Sequence, residues 1–194
     1  MKKWFHQLSS IPKWYGWACI TTYSLVVSVY YSEMKRIILQ SNFSSALSEI
    51  DSLMLRLSDL TFFLSGYISW ILLCFLFHLA VLLLNGLGSF RDLLFSTSLG
   101  LLIPTICTII AILLIGNNDY EGTNDIMAFI ETNHKFKLAR AFVNYSFVPL
   151  YIIVSVIIHY LYNINWYKAI LSILLPILAI VLTTFLISKT SLII

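Results

Sequence analysis

Residues 79–94, LAVLLLNGLGSFRDLL, decide the fold of this chain. They contain the end of one long apolar run, a short polar break and the start of a second apolar run. The break holds two turn dipeptides, Asn-Gly at 85–86 and Gly-Ser at 88–89, and glycine accepts positive φ while asparagine and serine bond their own backbone. We therefore expect two antiparallel neighbouring helices joined by a tight turn.

The composition of the whole chain predicts a membrane protein. Of 194 residues, 59% are hydrophobic and 11% are charged, whereas charged residues make up about 25% of a soluble domain. Five runs approach the roughly 20 apolar residues that a helix needs to cross the hydrocarbon. We expect an all-α integral membrane protein with a single membrane domain, residues 1–194. The five predicted spans are residues 14–31, 61–84, 93–115, 142–162 and 169–188.

The segment at about residues 41–60, between the first and second predicted spans, differs from the spans. Its apolar residues recur with a period of 3.6 residues, which predicts an amphipathic helix. Such a helix lies along the rim of the protein or the membrane interface, or offers a face to a partner helix. The sequence leaves these two interpretations open.

Polar residues and prolines interrupt the spans. The first span carries hydroxyl side chains, among them Thr21, Thr22, Ser24 and Ser28, which can bond back to their own helix or across to a neighbour. Proline inside a helix removes one hydrogen bond and kinks the axis. We predict kinks at Pro104, Pro149 and Pro176.

The connections between the spans alternate long, short, long, short. This order places both tight turns on one side of the membrane and both long segments on the other. Lys and Arg are slightly more numerous on the long-connection side, yet Lys2, Lys3 and Lys13 cluster before the first span. Because charges before the first helix often dominate insertion, we expect the N-terminus to lie inside.

The turn and the helix after it carry a family resemblance. The run from His78 through NGLGSFRD, followed by an apolar helix with Leu102-Ile103-Pro104, resembles the Yip family of Ypt/Rab-interacting membrane proteins and their bacterial relatives. Members have five spans, a glycine-rich turn after the second span and a proline in the third. The family usually has glycine where this chain has Asn85. Gly86 to Pro104 is the specific part of the match.

The resemblance implies a non-catalytic, multi-pass membrane scaffold or accessory subunit of a membrane protein complex, such as an ABC-type exporter or a toxin-protection system. The expected partners are membrane lipids and other integral membrane proteins, including ABC transporter subunits, or further copies of the chain. We expect the bacterial cytoplasmic membrane, with the ER or Golgi membrane as the alternative. The alternative function is a small transporter or lipid-moving protein acting alone, which prolines and hydroxyl groups within the spans favour.

The turn is also the predicted partner-docking site. Its seven residues can form a knob for a partner; in the competing structural interpretation Arg91 reaches lipid phosphates and Ser89 or Asp92 caps the third span. The docking residues would be Asn85, Gly86, Gly88, Ser89, Phe90, Arg91 and Asp92.

Candidate sites for chemistry are few. His78, four residues after Cys74, and His159 are predicted to make intramembrane polar contacts, since two or three scattered ligands do not match a zinc site. Residues 117–122 imitate the start of a calcium loop, but Ala128 stands where a bidentate glutamate is required. No hydrolase or nucleotide motif is present and no basic stripe suits nucleic acid. We expect no metal, no cofactor, no nucleic acid and no enzymatic activity.

Overall fold

The computed structural model describes residues 12–42, 49–116 and 126–190. Within these residues the chain forms eight α-helices and one short 3-10 helix, and no strand. The helices are α1 (Trp14–Asn42), α2 (Glu49–Leu83), α3 (Phe90–Ser98), α4 (Leu102–Gly116), α5 (Ile126–Thr132), α6 (His134–Tyr145), α7 (Phe147–Leu161) and α8 (Trp166–Thr190), with the 3-10 helix at Leu99–Leu101.

Four helical segments are long and apolar enough to cross a membrane, which agrees with the predicted multi-pass helical class. Helix α1, which contains the predicted span 14–31, is not among them, because it is rich in hydroxyl side chains and continues into a charged segment. A fifth span therefore stays a prediction. The four segments are Leu57–Leu83, Phe90–Gly116, His134–Leu161 and Trp166–Leu186.

The predicted amphipathic segment, about residues 41–60, falls only partly within the described residues. Residues 43–48 lie outside them, and α2 begins at Glu49 and continues without a break through the second predicted span. The helix is continuous because no glycine or proline separates the two segments. The amphipathic character of the segment stays a prediction.

Helices α1 and α2 pack side by side in antiparallel directions. The Ser28 hydroxyl donates to the Asp59 carbonyl oxygen at 3.0 Å, and the Ser32 hydroxyl donates to the Asp59 carboxylate at 2.6 Å. A side chain at Gly66 would lie 3.1 Å from the Ser24 Cα. Small residues and hydroxyl groups thus bring these two backbones close together, as they do between helices in membranes. Other hydroxyls of α1, such as Thr22, bond back to their own helix.

The prolines occupy two kinds of position. Pro104 and Pro149 lie in the first turns of α4 and α7, after breaks that divide the third and fourth predicted spans. The backbone before each of them is right-handed helical, with Ser146 at φ −61° and ψ −22° and Leu102 at φ −58° and ψ −33°, so both prolines lie inside longer helical segments. The kinks at these two positions stay predictions. Pro176 lies in the interior of α8.

The buried apolar residues form two clusters at different depths of the bundle. The larger cluster fills the space between α2, α3, α7 and α8 near the two short turns, which we call the short-turn end. The smaller cluster lies where α1, α4, α5 and α6 meet beside the long connections, which we call the long-connection end. The smaller cluster comprises Tyr30, Ile37, Ala111, Ile115, Phe136 and Ala139.

Candidate functional site

The turn after α2 has the backbone hydrogen bonds of a Schellman motif. The Gly86 amide donates to the Val81 carbonyl at 2.9 Å, and the Asn85 amide donates to the Leu82 carbonyl at 3.0 Å. Asn85 has a φ of 63°, which is the left-handed conformation that this motif requires at its central residue. Asparagine adopts that conformation more readily than most residues other than glycine. Asn85 is therefore well suited to this position of the turn.

Both glycines of this turn lie against the second short turn, residues 162–165. A side chain at Gly86 would collide with Val81 and would lie 3.2 Å from the Ile164 Cγ2. A side chain at Gly88 would lie 2.6 Å from the ring of Tyr162. The two turns therefore touch through positions where only hydrogen fits.

Polar contacts connect each of the two turns to a neighbouring helix. The Lys168 ammonium donates to the Leu84 carbonyl at 3.0 Å, where it also faces the negative end of the α2 dipole. Tyr162 Oη lies within hydrogen-bond distance of His78 Nδ1, at 2.5 Å. Because Tyr162 is buried, and because Asp92 is close by, the pKa of its phenol lies above the usual value. The hydroxyl is neutral, which suits a buried hydrogen bond.

The second turn is held in a similar way to the first. Asn163 has a φ of 50°, and the His159 Nδ1–H donates to the Ile164 carbonyl at 2.5 Å. The His159 ring stacks on Trp166 with 4.2 Å between the ring centroids. The two histidines that were predicted to make intramembrane polar contacts, His78 and His159, thus both bond to the second turn, through Tyr162 and Ile164 respectively.

The outer surface of the first turn carries exposed side chains. Leu87 is 86% exposed and Leu83 is 81% exposed, and Arg91 is exposed beside them. Ser89 occupies the N-cap position of α3, but its side chain makes no capping hydrogen bond. Asp92 lies 3.5 Å from the Lys13 ammonium. Gly86 and Phe90 of the predicted docking set face inward, so the outward surface is smaller than the sequence suggested.

The described residues hold no group of three or more histidine, cysteine or acidic side chains that could bind a metal ion. Cys74 lies 3.5 Å from the Thr97 hydroxyl, and Thr97 in turn donates to the Leu93 carbonyl. Residues 117–122, whose sequence resembles the start of a calcium-binding loop, lie outside the described residues.

The sequence patterns did not predict a cavity that the structure shows at the long-connection end. It has a volume of about 700 Å³ and lies between α1, α5 and α6. Lys137 and Arg140, three residues apart and hence on one face of α6, are the signal that would have pointed to it. Sequence reasoning likewise missed Tyr162 and Lys168, whose partners are distant along the chain. The cavity is lined by Tyr30, Tyr31, Met34, Ile130, Glu131, Phe136, Lys137, Arg140, Val143 and Asn144.

Comparison with known proteins finds no relative of this chain. No family model, no curated protein and no solved structure matches it. The resemblance to the Yip family therefore depends on the residues of the turn and of the helix that follows.

Proposed function

We propose that this protein is a non-catalytic membrane scaffold or accessory subunit that binds another integral membrane protein through its short-turn end. The observation that carries the proposal is the exposure of Leu83 and Leu87 on a turn whose backbone is held in place. Exposed leucines are common on membrane-facing helices. Leu87, however, lies in a connecting turn, where the surrounding layer is polar.

The rigidity of the turn supports binding. The Schellman hydrogen bonds, the Gly88–Tyr162 contact and the Lys168–Leu84 hydrogen bond hold the backbone before any partner arrives. A surface that is already ordered loses less conformational entropy on association, so more of the contact energy remains as affinity. The two leucines would enter an apolar groove of the partner, with Arg91 at the edge of the interface.

The resemblance to the Yip family points to the same class of function. It suggests an exporter or a toxin-protection complex of a bacterial cytoplasmic membrane, with an ABC-type transporter subunit as the expected partner. A second copy of this chain is the competing partner.

Site-specific photo-crosslinking in native membranes tests the proposal. A crosslinking amino acid at position 87 should capture a transporter subunit, whereas one at Leu138, exposed on α6 at the opposite end, should capture much less. The double variant L83S/L87S should lose the co-purifying partner while its unfolding midpoint stays near that of the wild type. Equal capture at positions 87 and 138, or an unchanged partner yield in L83S/L87S, would contradict the proposal.

A second candidate is a small transporter or lipid-moving protein acting alone, and the cavity of about 700 Å³ at the long-connection end favours it. Vesicles that contain only this protein provide the test. Movement of labelled lipid or solute above that of protein-free vesicles would support this candidate, and movement equal to theirs would exclude it.

A further inference from the structure

The cavity at the long-connection end has the size of a ligand site. Its volume of about 700 Å³ lies within the roughly 300–1,000 Å³ of typical small-molecule sites. It is much larger than a space for a few water molecules, since each occupies about 30 Å³ in the liquid. The cavity is therefore large enough for a polar headgroup together with a segment of an alkyl chain.

The charge on the cavity wall is positive. Among the described residues, Lys137 and Arg140 line it together with one carboxylate, that of Glu131. In the part of the chain that the structure describes, the ion pairs are Lys13–Asp92 and Arg36–Glu33, so neither cavity cation is neutralised by an acidic side chain. Of the described residues that line the cavity, an anionic group would meet two cations and one anion.

Most of the remaining wall of the cavity is apolar and aromatic. Tyr30 and Phe136 are buried members of the smaller hydrophobic cluster, and Met34, Ile130 and Val143 pack against that cluster. The phenol groups of Tyr30 and Tyr31 add hydrogen-bond donors beside this surface. A ligand that fills the cavity therefore needs both an anionic and an apolar part.

The position of the cations along their helical segment is compatible with the depth of lipid headgroups. The helical segment His134–Leu161 contains 28 residues, about 42 Å at 1.5 Å per residue, whereas the hydrocarbon layer is about 30 Å thick. If the apolar C-terminal part fills the hydrocarbon, roughly the first eight residues extend beyond it. Lys137 and Arg140 are the fourth and seventh residues of the segment.

We infer that this cavity binds a phosphate-bearing anionic headgroup, with the phosphate held by Lys137 and Arg140 and the adjoining alkyl chain lying on the aromatic wall. A guanidinium binds phosphate through two parallel hydrogen bonds, and the ammonium adds a compact positive charge. The expected source of the phosphate is a membrane lipid. The site lies at the end opposite to the partner-docking turn and does not depend on it.

Lipid titration of the full-length protein in mild detergent tests the inference. Native mass spectrometry and the unfolding midpoint should show tighter binding of phosphatidylglycerol than of phosphatidylcholine, by about tenfold. K137Q and R140Q should each weaken phosphatidylglycerol binding about fivefold, the effect expected for one basic residue near a membrane surface. R140K, which keeps the positive charge but loses the paired hydrogen bonds, should weaken binding less than R140Q does. R91Q, which removes an exposed cation at the opposite end, should leave it unchanged.

A parallel titration with inorganic phosphate distinguishes the two sources of the anion. If phosphate alone stabilises the protein as strongly as the lipid does, and R140Q removes that effect, the site serves a soluble phosphate compound. Equal binding of phosphatidylglycerol and phosphatidylcholine would overturn the inference. A loss in R91Q as large as that in R140Q would overturn it as well.

Discussion

The two ends of this helical bundle differ in how closely their connections pack. At the short-turn end, two connections of a few residues touch each other, and glycine, buried tyrosine and a lysine leave no room between them. At the long-connection end, α5 and the start of α6 lie beside α1 and enclose a cavity lined by two cations. The short connections force helix ends together, whereas the long ones allow extra elements and space between them.

The difference shows how the same residue type serves different purposes. Gly86 is buried between two turns and admits no side chain. At Gly116, the last residue of α4, no atom of the described residues lies within 4 Å of an added side chain. Lys168 binds a backbone carbonyl, whereas Lys137 lines an open cavity. Rigid packing at one end suits partner docking, and a charged cavity at the other suits a ligand.

The largest expected effect comes from exchanging glycine for alanine at the two ends. G86A forces a methyl group into Val81 and should lower the free energy of unfolding by about 1–3 kcal/mol, the usual cost of overpacking. G116A should leave stability unchanged or raise it by up to about 1 kcal/mol, since alanine favours the helix. Unfolding in mixed micelles measures both. Similar changes in the free energy of unfolding of G86A and G116A would contradict the difference in packing between the two ends.

A smaller effect is expected from removing single phenol hydroxyls. Y162F keeps the ring against Gly88 but leaves His78 without its partner, so the free energy of unfolding should fall by about 0.5–1.5 kcal/mol. The matched control is Y145F, because Tyr145 is 72% exposed at the end of α6. Its stability should not change. If the free energy of unfolding of Y162F is the same as that of Y145F, the hydrogen bond between Tyr162 and His78 does not stabilise the fold.

The smallest effect is expected from replacing lysine by methionine. K168M removes the cation at the C-terminus of α2 and should cost about 0.3–1 kcal/mol. K137M, measured in lipid-free detergent, should cost nothing, because within the described residues no acidic side chain pairs with Lys137. The two unfolding free energies, compared at low and high salt, provide the check. An equal loss in K137M would mean that Lys137 stabilises the fold rather than lining a ligand site.

Local sequence patterns predicted the parts of the fold that local physics controls. The apolar runs predicted five spans, and four of them fall largely in helical segments that are long and apolar enough to cross a membrane. The NGLG sequence indicated the tight turn after α2. The sequence predicted kinks at Pro104 and Pro149 but not that these prolines lie in the first turns of α4 and α7, because a proline position within an apolar run does not reveal where a helix starts. The continuity of α2 from Glu49 was also missed, since a change from amphipathic to fully apolar character does not end a helix.

In the candidate sites, too, the local features were predicted from the sequence and the long-range contacts were not. The sequence indicated that residues 85–92 form a turn, but not that Gly88 lies on Tyr162, a residue more than 70 positions away. The cavity combines α1 with α6, which are separated by about 100 residues of sequence. Long-range contacts of this kind depend on how helices pack, and no periodicity within one segment encodes them.

By itself the sequence determined that this is a helical protein suited to lipid, with a tight turn near residue 86, because composition, period and turn chemistry are local properties. Only the tertiary structure decided that the two short turns pack against each other and that Lys137 and Arg140 face a cavity. Those features arise from side chains that meet across helices, and the free energy of that packing depends on the whole bundle rather than on any one stretch.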